Sequence, residues 1–307
     1  MPELPEVEVV RAGLEPAVAG ATIEGVEVLE PRSLRRHGGG ADDFEARLVG
    51  RRMRSAVRRG KFLWFPLDDP PAVVAERDEA LVAHLGMSGQ MLLRDQDAAA
   101  DRQLRVRLIL DSPEHGPLVV AFADQRIFGS LAIDGLEPTA DGAPGGRGDS
   151  APTVPHAVAH IARDPLDPAF DDRAFLAALA RKRTGVKRAL LDQTLVSGIG
   201  NIYADESLWA ARVHFDAPTE RLTRPVASRL LAELRSVLER ALVDGGTSFD
   251  AQYVNVNGAS GYFSQRLNAY GQQGRPCPRC GRDIVRVAFM NRSSHYCPHC
   301  QRLPRPR

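Results

Sequence analysis

Four cysteines constrain this chain more than any other feature. Cys277, Cys280, Cys297 and Cys300 are its only cysteines, and their spacing is C-x2-C-x16-C-x2-C. Each pair can chelate through a tight turn, and the sixteen-residue separation fits a β-hairpin that brings the second pair back to the first. That pattern suits one Zn²⁺ held by four thiolates. Two disulfides are the alternative. The N-terminus, MPELPEVEVV, carries acids where a secretory signal carries a basic region, so the expected compartment is the reducing cytoplasm. Four protein ligands close the coordination sphere. The metal is therefore expected to be structural, holding a hairpin too small for a core of its own. His295 and His299 beside the second pair are substitute ligands in reserve. Arg292 is placed near the hairpin tip, where an exposed guanidinium fits a phosphate.

Net charge is +1, but it hides a split. Residues 1–150 hold 18 Lys+Arg and 25 Asp+Glu (net −7), and residues 151–307 hold 22 and 14 (net +8). A basic half joined to an acidic one suggests a polyanion partner, a solvated arginine surface being the plainer reading. Only three lysines occur, Lys61, Lys182 and Lys187, against 37 arginines. Lysine can lose its proton when desolvated and arginine cannot, so these three positions draw notice. No stretch approaches the roughly 20 apolar residues of a membrane span.

The hydrophobic period changes along the chain. VEVVRAGLEPAVAG reads as a helix with Val7, Val10 and Leu14 on one face. TIEGVEVLE, FLWFPL, ALVAHL, QLRVRLIL and LVVAFA are short β-branched runs, so residues 1–135 read as an antiparallel β domain. The segment 68–78 is a loop, and EPTADGAPGGRGDSAPTVP (137–155) reads as a flexible linker or disordered loop. Four helices follow: DDRAFLAALARKR, VKRALLDQ, NIYADESLWAARV and RPVASRLLAELRSVLERALVDGG. The last has Pro225 near its start and Gly245 at its stop.

The second residue is proline. A small residue there permits removal of Met1, which exposes Pro2 as a free secondary amine. An α-amino group titrates near pH ~7.7–8, so a useful fraction is neutral and nucleophilic. Attack on an electrophilic carbon gives an iminium, by the logic of a Schiff-base lysine. Glu3 and Glu6 stand close enough in sequence to handle protons.

MPELPEVE, RRGKFLWF around Lys61, HLGMSG around Met87, ADQRIFG around Arg126, SGIGNIYADE around Asn201 and the four-cysteine hairpin stand in one order. This order resembles the bacterial formamidopyrimidine-DNA glycosylases, repair enzymes that excise oxidised purines, over nearly the whole chain. The resemblance implies an α+β multidomain fold: an N-terminal β-sandwich with an N-terminal helix (1–136), a partly disordered linker (137–164), a helix–two-turn–helix domain (165–262) and a zinc hairpin (263–307). It implies a monomer acting on damaged double-stranded DNA. Pro2 resembles the nucleophile that attacks C1′, Glu3 the general acid/base, Lys61 the β-elimination lysine and Arg292 the δ-elimination residue. Met87, Arg126 and Phe128 match a trio that fills the gap left by a flipped base.

Asn201 suits a helix N-cap, and the resemblance adds a phosphate contact. Lys182 or Arg183 takes the place of a DNA-contacting lysine, whereas Lys187 reads as a solvated helix residue. Relatives place a DNA-contacting His where Gln103 is the nearest candidate here, so that contact is lost or passes to Arg102 or Arg105. The segment 245–265 resembles a loop that covers a flipped purine. Two other readings stand beside this one: an endonuclease VIII-like glycosylase for oxidised pyrimidines, and a catalytically silent DNA-binding protein.

Overall fold

The computed structural model describes residues 2–70, 78–97, 102–247, 256 and 263–303. They fall into two compact units, residues 1–160 with 247–261, and residues 161–246 with 262–307.

The first unit opens with helix α1 (Leu4–Val18), followed by β1 (Thr22–Val28), a 3₁₀ turn (Pro31–Leu34) and α2 (Gly40–Leu48). Eight strands come next: β2 (Arg52–Met53), β3 (Val57–Arg59), β4 (Phe62–Asp68), β5 (Glu79–His84), β6 (Gly89–Arg94), β7 (Leu104–Ser112), β8 (Gly116–Asp124) and β9 (Ser130–Pro138). A short β10 (Thr153–Pro155) and α3 (His156–Ala159) close it. The strands form one antiparallel path, β10-β9-β5-β4-β2-β1-β7-β8-β6, with β3 on β4. The path makes a β-sandwich, and the period-two alternation shows how. Leu63, Phe65 and Leu67 from β4 share one core with Val106, Leu108 and Leu110 from β7 and with Val120 and Phe122 from β8. Intervening residues such as Val119, Ala121 and Ala123 form a separate cluster on the opposite face. Val7, Val10, Leu14 and Val18 place the apolar stripe of α1 in the main core.

The glycine-rich stretch 138–152 is an ordered loop packed within this unit, not a disordered linker. Arg147 exchanges two backbone hydrogen bonds with Arg58, both 2.9 Å. Its Nε also meets Glu8 Oε1 at 3.2 Å. The glycines serve close approach. A Cβ on Gly146 would lie 2.4 Å from the Arg58 carbonyl oxygen and 2.7 Å from Trp64. The segment thereby covers the outward face of β4, and Trp64 is buried beneath it. The sequence reading also passed over α2, β6 and β9, whose patterns are short or interrupted by polar residues.

The second unit contains α4 (Asp172–Arg181), α5 (Val186–Leu190), α6 (Asn201–Ala210) and α7 (Arg224–Val243), then a two-stranded hairpin of β11 (Val285–Phe289) and β12 (Arg292–Tyr296). Leu230, Leu234, Val237 and Leu238 form the buried stripe of α7. Gly245, with φ +74°, follows its end as expected. Every residue of α6 from Asn201 to Leu208 is buried, so this helix is the centre of the unit. No helix among the described residues is long and apolar enough to cross a membrane.

Candidate active site and nucleic-acid interface

In the first unit, Pro2 is buried immediately before α1. Glu3 is the N-cap of that helix and is 2% exposed. The backbone N–H of Glu3 donates to Glu6 Oε2 at 2.8 Å, half of a capping box. The other oxygen, Glu6 Oε1, accepts from the Thr247 backbone N–H at 2.8 Å and from its hydroxyl at 2.9 Å. The first residues of the chain are thus pinned by a buried carboxylate, which fixes the place of Pro2. Met1 lies outside the described residues.

Lys61 occupies the two-residue turn between β3 and β4 after Gly60, whose φ of +58° suits the turn. His84, at the end of β5, went unnoticed in the sequence. Its ring packs against Phe62, tilted by 59°, with centroids 4.9 Å apart. Burial, then the charges of Arg36, Lys61 and Arg35, hold its pKa down at about 4. The ring is therefore neutral at physiological pH. Nδ1 accepts the Gly86 N–H at 3.1 Å, which leaves the proton on Nε2. A neutral donor near the Lys61 ammonium suits an anion. Such a lone histidine carries no sequence signal, because its character comes from neighbours distant in the chain.

The three residues expected to fill a gap in the duplex are brought together. Met87 lies in the β5–β6 turn, and Arg126 and Phe128 lie in the β8–β9 loop. Met87 is 41% and Phe128 47% exposed. The Arg126 guanidinium sits 5.1 Å from the centre of the Phe128 ring. Gly86, with φ +62°, lets the two loops touch backbone to backbone, since a Cβ there would come 2.5 Å from the Phe128 carbonyl oxygen. Gln103 lies in the turn before β7, and its carbonyl accepts the Asp124 N–H at 2.9 Å. Arg105 directs its Nε to the Asp124 carbonyl at 2.8 Å.

In the second unit, α6 is locked to the hairpin. Asp205 Oδ1 pairs with Lys187 Nζ at 2.7 Å, both side chains being fully buried. Lys187 also donates to the Ser293 carbonyl at 3.0 Å and to Ser294 Oγ at 2.8 Å. This corrects its reading as a solvated residue: α5 turns it into the interior, where a carboxylate and the hairpin backbone compensate the charge. Asp205 Oδ2 accepts the His295 N–H at 2.9 Å. Its neighbour Glu206 accepts the backbone N–H groups of Asn268, Ala269 and Tyr270. Burial raises the Glu206 pKa, and these bonds oppose the rise.

Asn201 is the first residue of α6 and not its N-cap, a place taken by Gly200. Its Nδ2 donates instead to the Ser293 carbonyl at 3.1 Å. Lys182 pairs with Asp192 Oδ2 at 2.5 Å, whereas Arg183 is exposed, has φ +47° and makes no ion pair among the described residues.

The four cysteine Sγ atoms lie within 4.8 Å of one another. Tetrahedral thiolates about 2.3 Å from zinc stand ~3.8 Å apart, so the cluster fits one Zn²⁺. Burial and the neighbouring cysteines push the Cys300 thiol up to about 12, a repulsion that a dication removes. His295 faces Asp205 and His299 faces Arg302, so neither joins the cluster. Arg292 is exposed and opens β12 directly after the Met290-Asn291 turn, near the tip as expected. The segment 245–265 lies largely outside the described residues.

A β-sandwich with a buried imino residue at its start, together with a helical unit carrying a zinc hairpin and exposed arginines, defines a zinc-finger protein of nucleic-acid chemistry. The comparisons narrow that class. Residues 1–131 match the formamidopyrimidine-DNA glycosylase N-terminal domain, residues 161–252 the H2TH domain of the same enzymes and residues 274–303 a zinc finger found in FPG and IleRS. The formamidopyrimidine-DNA glycosylase of Leifsonia xyli subsp. xyli is 65% identical over 99% of this chain and all of its own length. That of Thermobifida fusca is 56% identical, covering all of this chain and 99% of its own. The crystal structure of Lactococcus lactis Fpg with DNA containing an abasic site matches at TM-score 0.77 and 29% identity, covering 98% of this chain and 99% of that one. The chain belongs to the formamidopyrimidine-DNA glycosylase family.

Proposed function

We propose that this chain, a DNA glycosylase of base excision repair, excises oxidised purines through the Pro2 amine and then cleaves the strand. The observation that carries the reading is the pinned N-terminus: a buried Pro2 beside the Glu3 N-cap, held by Glu6 between the Glu3 N–H and Thr247. After Met1 is removed, the Pro2 nitrogen attacks C1′ of the damaged nucleotide. The C1′–N bond to the base breaks, with its electron pair leaving on the base. Glu3 moves protons between the sugar oxygen and the departing base. The C1′–O4′ bond then opens, its electron pair taking a proton onto O4′, and the iminium that forms acidifies the C2′ hydrogens. Loss of one expels the 3′ phosphate (β-elimination), and loss of the C4′ hydrogen, made acidic by the new C2′=C3′ double bond, then expels the 5′ phosphate (δ-elimination). Lys61 serves the first elimination and Arg292 the second. An oxygen nucleophile gives no iminium and so does not explain both activities.

Met87, Arg126 and Phe128 take the space of the flipped nucleotide, a step that costs a few kcal/mol of unstacking. Lys61 and the neutral Nε2–H of His84 suit one phosphate. Asn201 contacts another from the start of α6, and Gln103 stands where relatives place a histidine. Of the basic pair, Arg183 is favoured as the DNA contact, because Lys182 is engaged with Asp192. The zinc, held by Cys277, Cys280, Cys297 and Cys300, fixes the hairpin and takes no part in the chemistry. Monomeric action and a cytoplasmic setting belong to the same proposal.

Borohydride trapping tests the substrate class, using duplexes that carry 8-oxoguanine or thymine glycol. A trapped adduct with 8-oxoguanine is the expected outcome. Trapping with thymine glycol alone points to the pyrimidine branch, and no adduct with either makes the chain a silent binder. Binding is expected to weaken steeply with salt, since phosphate contacts carry much of the affinity.

A further inference from the structure

The β8–β9 loop that presents Arg126 and Phe128 needs more restraint than its sequence supplies. Ile127, between them, adopts φ +54°, a left-handed conformation that a β-branched residue takes only under constraint. On the amide side the constraint is Asp124, itself fully buried. Its carboxylate accepts the Arg126 N–H at 3.1 Å, the Gly129 N–H at 2.6 Å and the Ser88 hydroxyl at 2.6 Å. These bonds leave the loop carbonyls unanswered.

We propose that Arg35 is a positioning residue for the gap-filling loop. Its guanidinium spans the carbonyls of Ile127, Phe128 and Gly129. Nη1 donates to the Ile127 oxygen at 3.2 Å and to the Gly129 oxygen at 2.6 Å, and Nη2 donates to the Phe128 oxygen at 2.5 Å. Arg35 follows the 3₁₀ turn Pro31–Leu34, which Leu34 roots in the main core. The clamp therefore ties a strained surface loop to the body of the sandwich across more than 90 positions of sequence. Two nitrogens held in one plane match three carbonyls on successive residues, and a lysine ammonium lacks that reach. With amides on Asp124 and carbonyls on Arg35, the loop is held from both sides. Phe128 and Arg126 then enter the helix without first being ordered, so the restraint acts on the flipping step and not on the imine chemistry.

The inference rests on the reading of Phe128 as a gap filler, and its test separates the two. Single-turnover base release would be measured on an 8-oxoguanine duplex with 2-aminopurine beside the lesion to report unstacking. Strand cleavage would be measured on single-stranded abasic DNA, which has no gap to fill. Arg35→Ala and Arg35→Lys are both expected to slow unstacking and base release at saturating enzyme by about tenfold or more, the scale of small misplacements in an active site. Cleavage of single-stranded abasic DNA should stay within about twofold, which also shows that the variants are folded. Arg35 is exposed, so its removal leaves no buried hole. Full activity in Arg35→Lys would mean that charge alone matters and would overturn the proposal. So would an equal loss on the single strand. Phe128→Ala is the control. If it slows base release and the Arg35 variants do not, only the clamp fails. If Phe128→Ala has no effect, the gap-filling reading falls and the clamp with it.

Discussion

Two exposed tips of this molecule face the same mechanical problem and solve it differently. The β8–β9 loop and the β11–β12 turn each carry a non-glycine residue in the left-handed region, Ile127 at φ +54° and Met290 at φ +52°. Each displays an apolar side chain, Phe128 being 47% and Met290 61% exposed. The first tip stands on a sandwich with a large shared core, and hydrogen bonds from Asp124 and Arg35 suffice to set it. The second stands on two short strands with little buried apolar company, Phe289 against Phe215 and Ile284 with the cysteines and the partly buried Trp209. A metal and a buried ion pair replace the missing core there. Where burial is plentiful, hydrogen bonds to backbone groups set a tip, and where it is scarce a metal and a buried ion pair do.

Removing the metal should break the comparison most sharply. Structural zinc is worth about 10 kcal/mol or more in small domains. The chain's two tryptophans report the outcome separately, since Trp209 Nε1 lies 3.5 Å from Cys277 Sγ and Trp64 is buried in the sandwich. Stripping zinc from a Trp64→Phe variant should change the Trp209 emission and abolish DNA binding. The same treatment of a Trp209→Phe variant should leave Trp64 emission unchanged.

The buried pair comes next. Lys187→Ala leaves Asp205 without its cation inside the protein and should destabilise the second unit by about 3–5 kcal/mol, read by chemical denaturation followed at Trp209.

That lysine shows where sequence reasoning stops. The zinc hairpin was legible because its evidence is local, two Cys-x2-Cys pairs at hairpin spacing. The β-then-α order was legible because hydrophobic period is local too. Lys187 looked like a solvated residue of a basic run, and nothing in ARKRTGVK announces Asp205 as its partner. Residues 138–152 misled more instructively. Glycine and proline read as flexibility, yet Gly145, Gly146 and Gly148 are there because backbone and side chains approach too closely for a Cβ. Composition is ambiguous between those two uses of glycine, and only the packed neighbour decides. His84 and Arg35 escaped for the same reason, since their partners come from other strands and loops.

Gly146→Ala sharpens that point. Its new methyl would meet the Arg58 carbonyl and Trp64, so the first unit should lose about 1–3 kcal/mol, the usual cost of overpacking. A flexible linker would tolerate the change.

The last effect concerns pH. His84 titrates at about 4 in the fold against 6.5 in the free side chain, so the unfolded chain binds the extra proton first. Its contribution is complete above pH 6.5 and falls away as the pH drops from 6.5 towards 4. The slope it adds is at most about 1.4 kcal/mol per pH unit. His84→Asn should flatten the stability curve of the first unit in that window and leave the second unit's curve unchanged.

We propose that the covalent step runs through the Pro2 nitrogen of the first unit, while the second unit grips the strand. Borohydride trapping on an 8-oxoguanine duplex, followed by proteolysis and mass spectrometry, asks this directly. The DNA fragment should be found on the nitrogen of Pro2, in a chain that has lost Met1. A fragment attached to Lys61, or a trapped chain that still begins with methionine, would contradict the account.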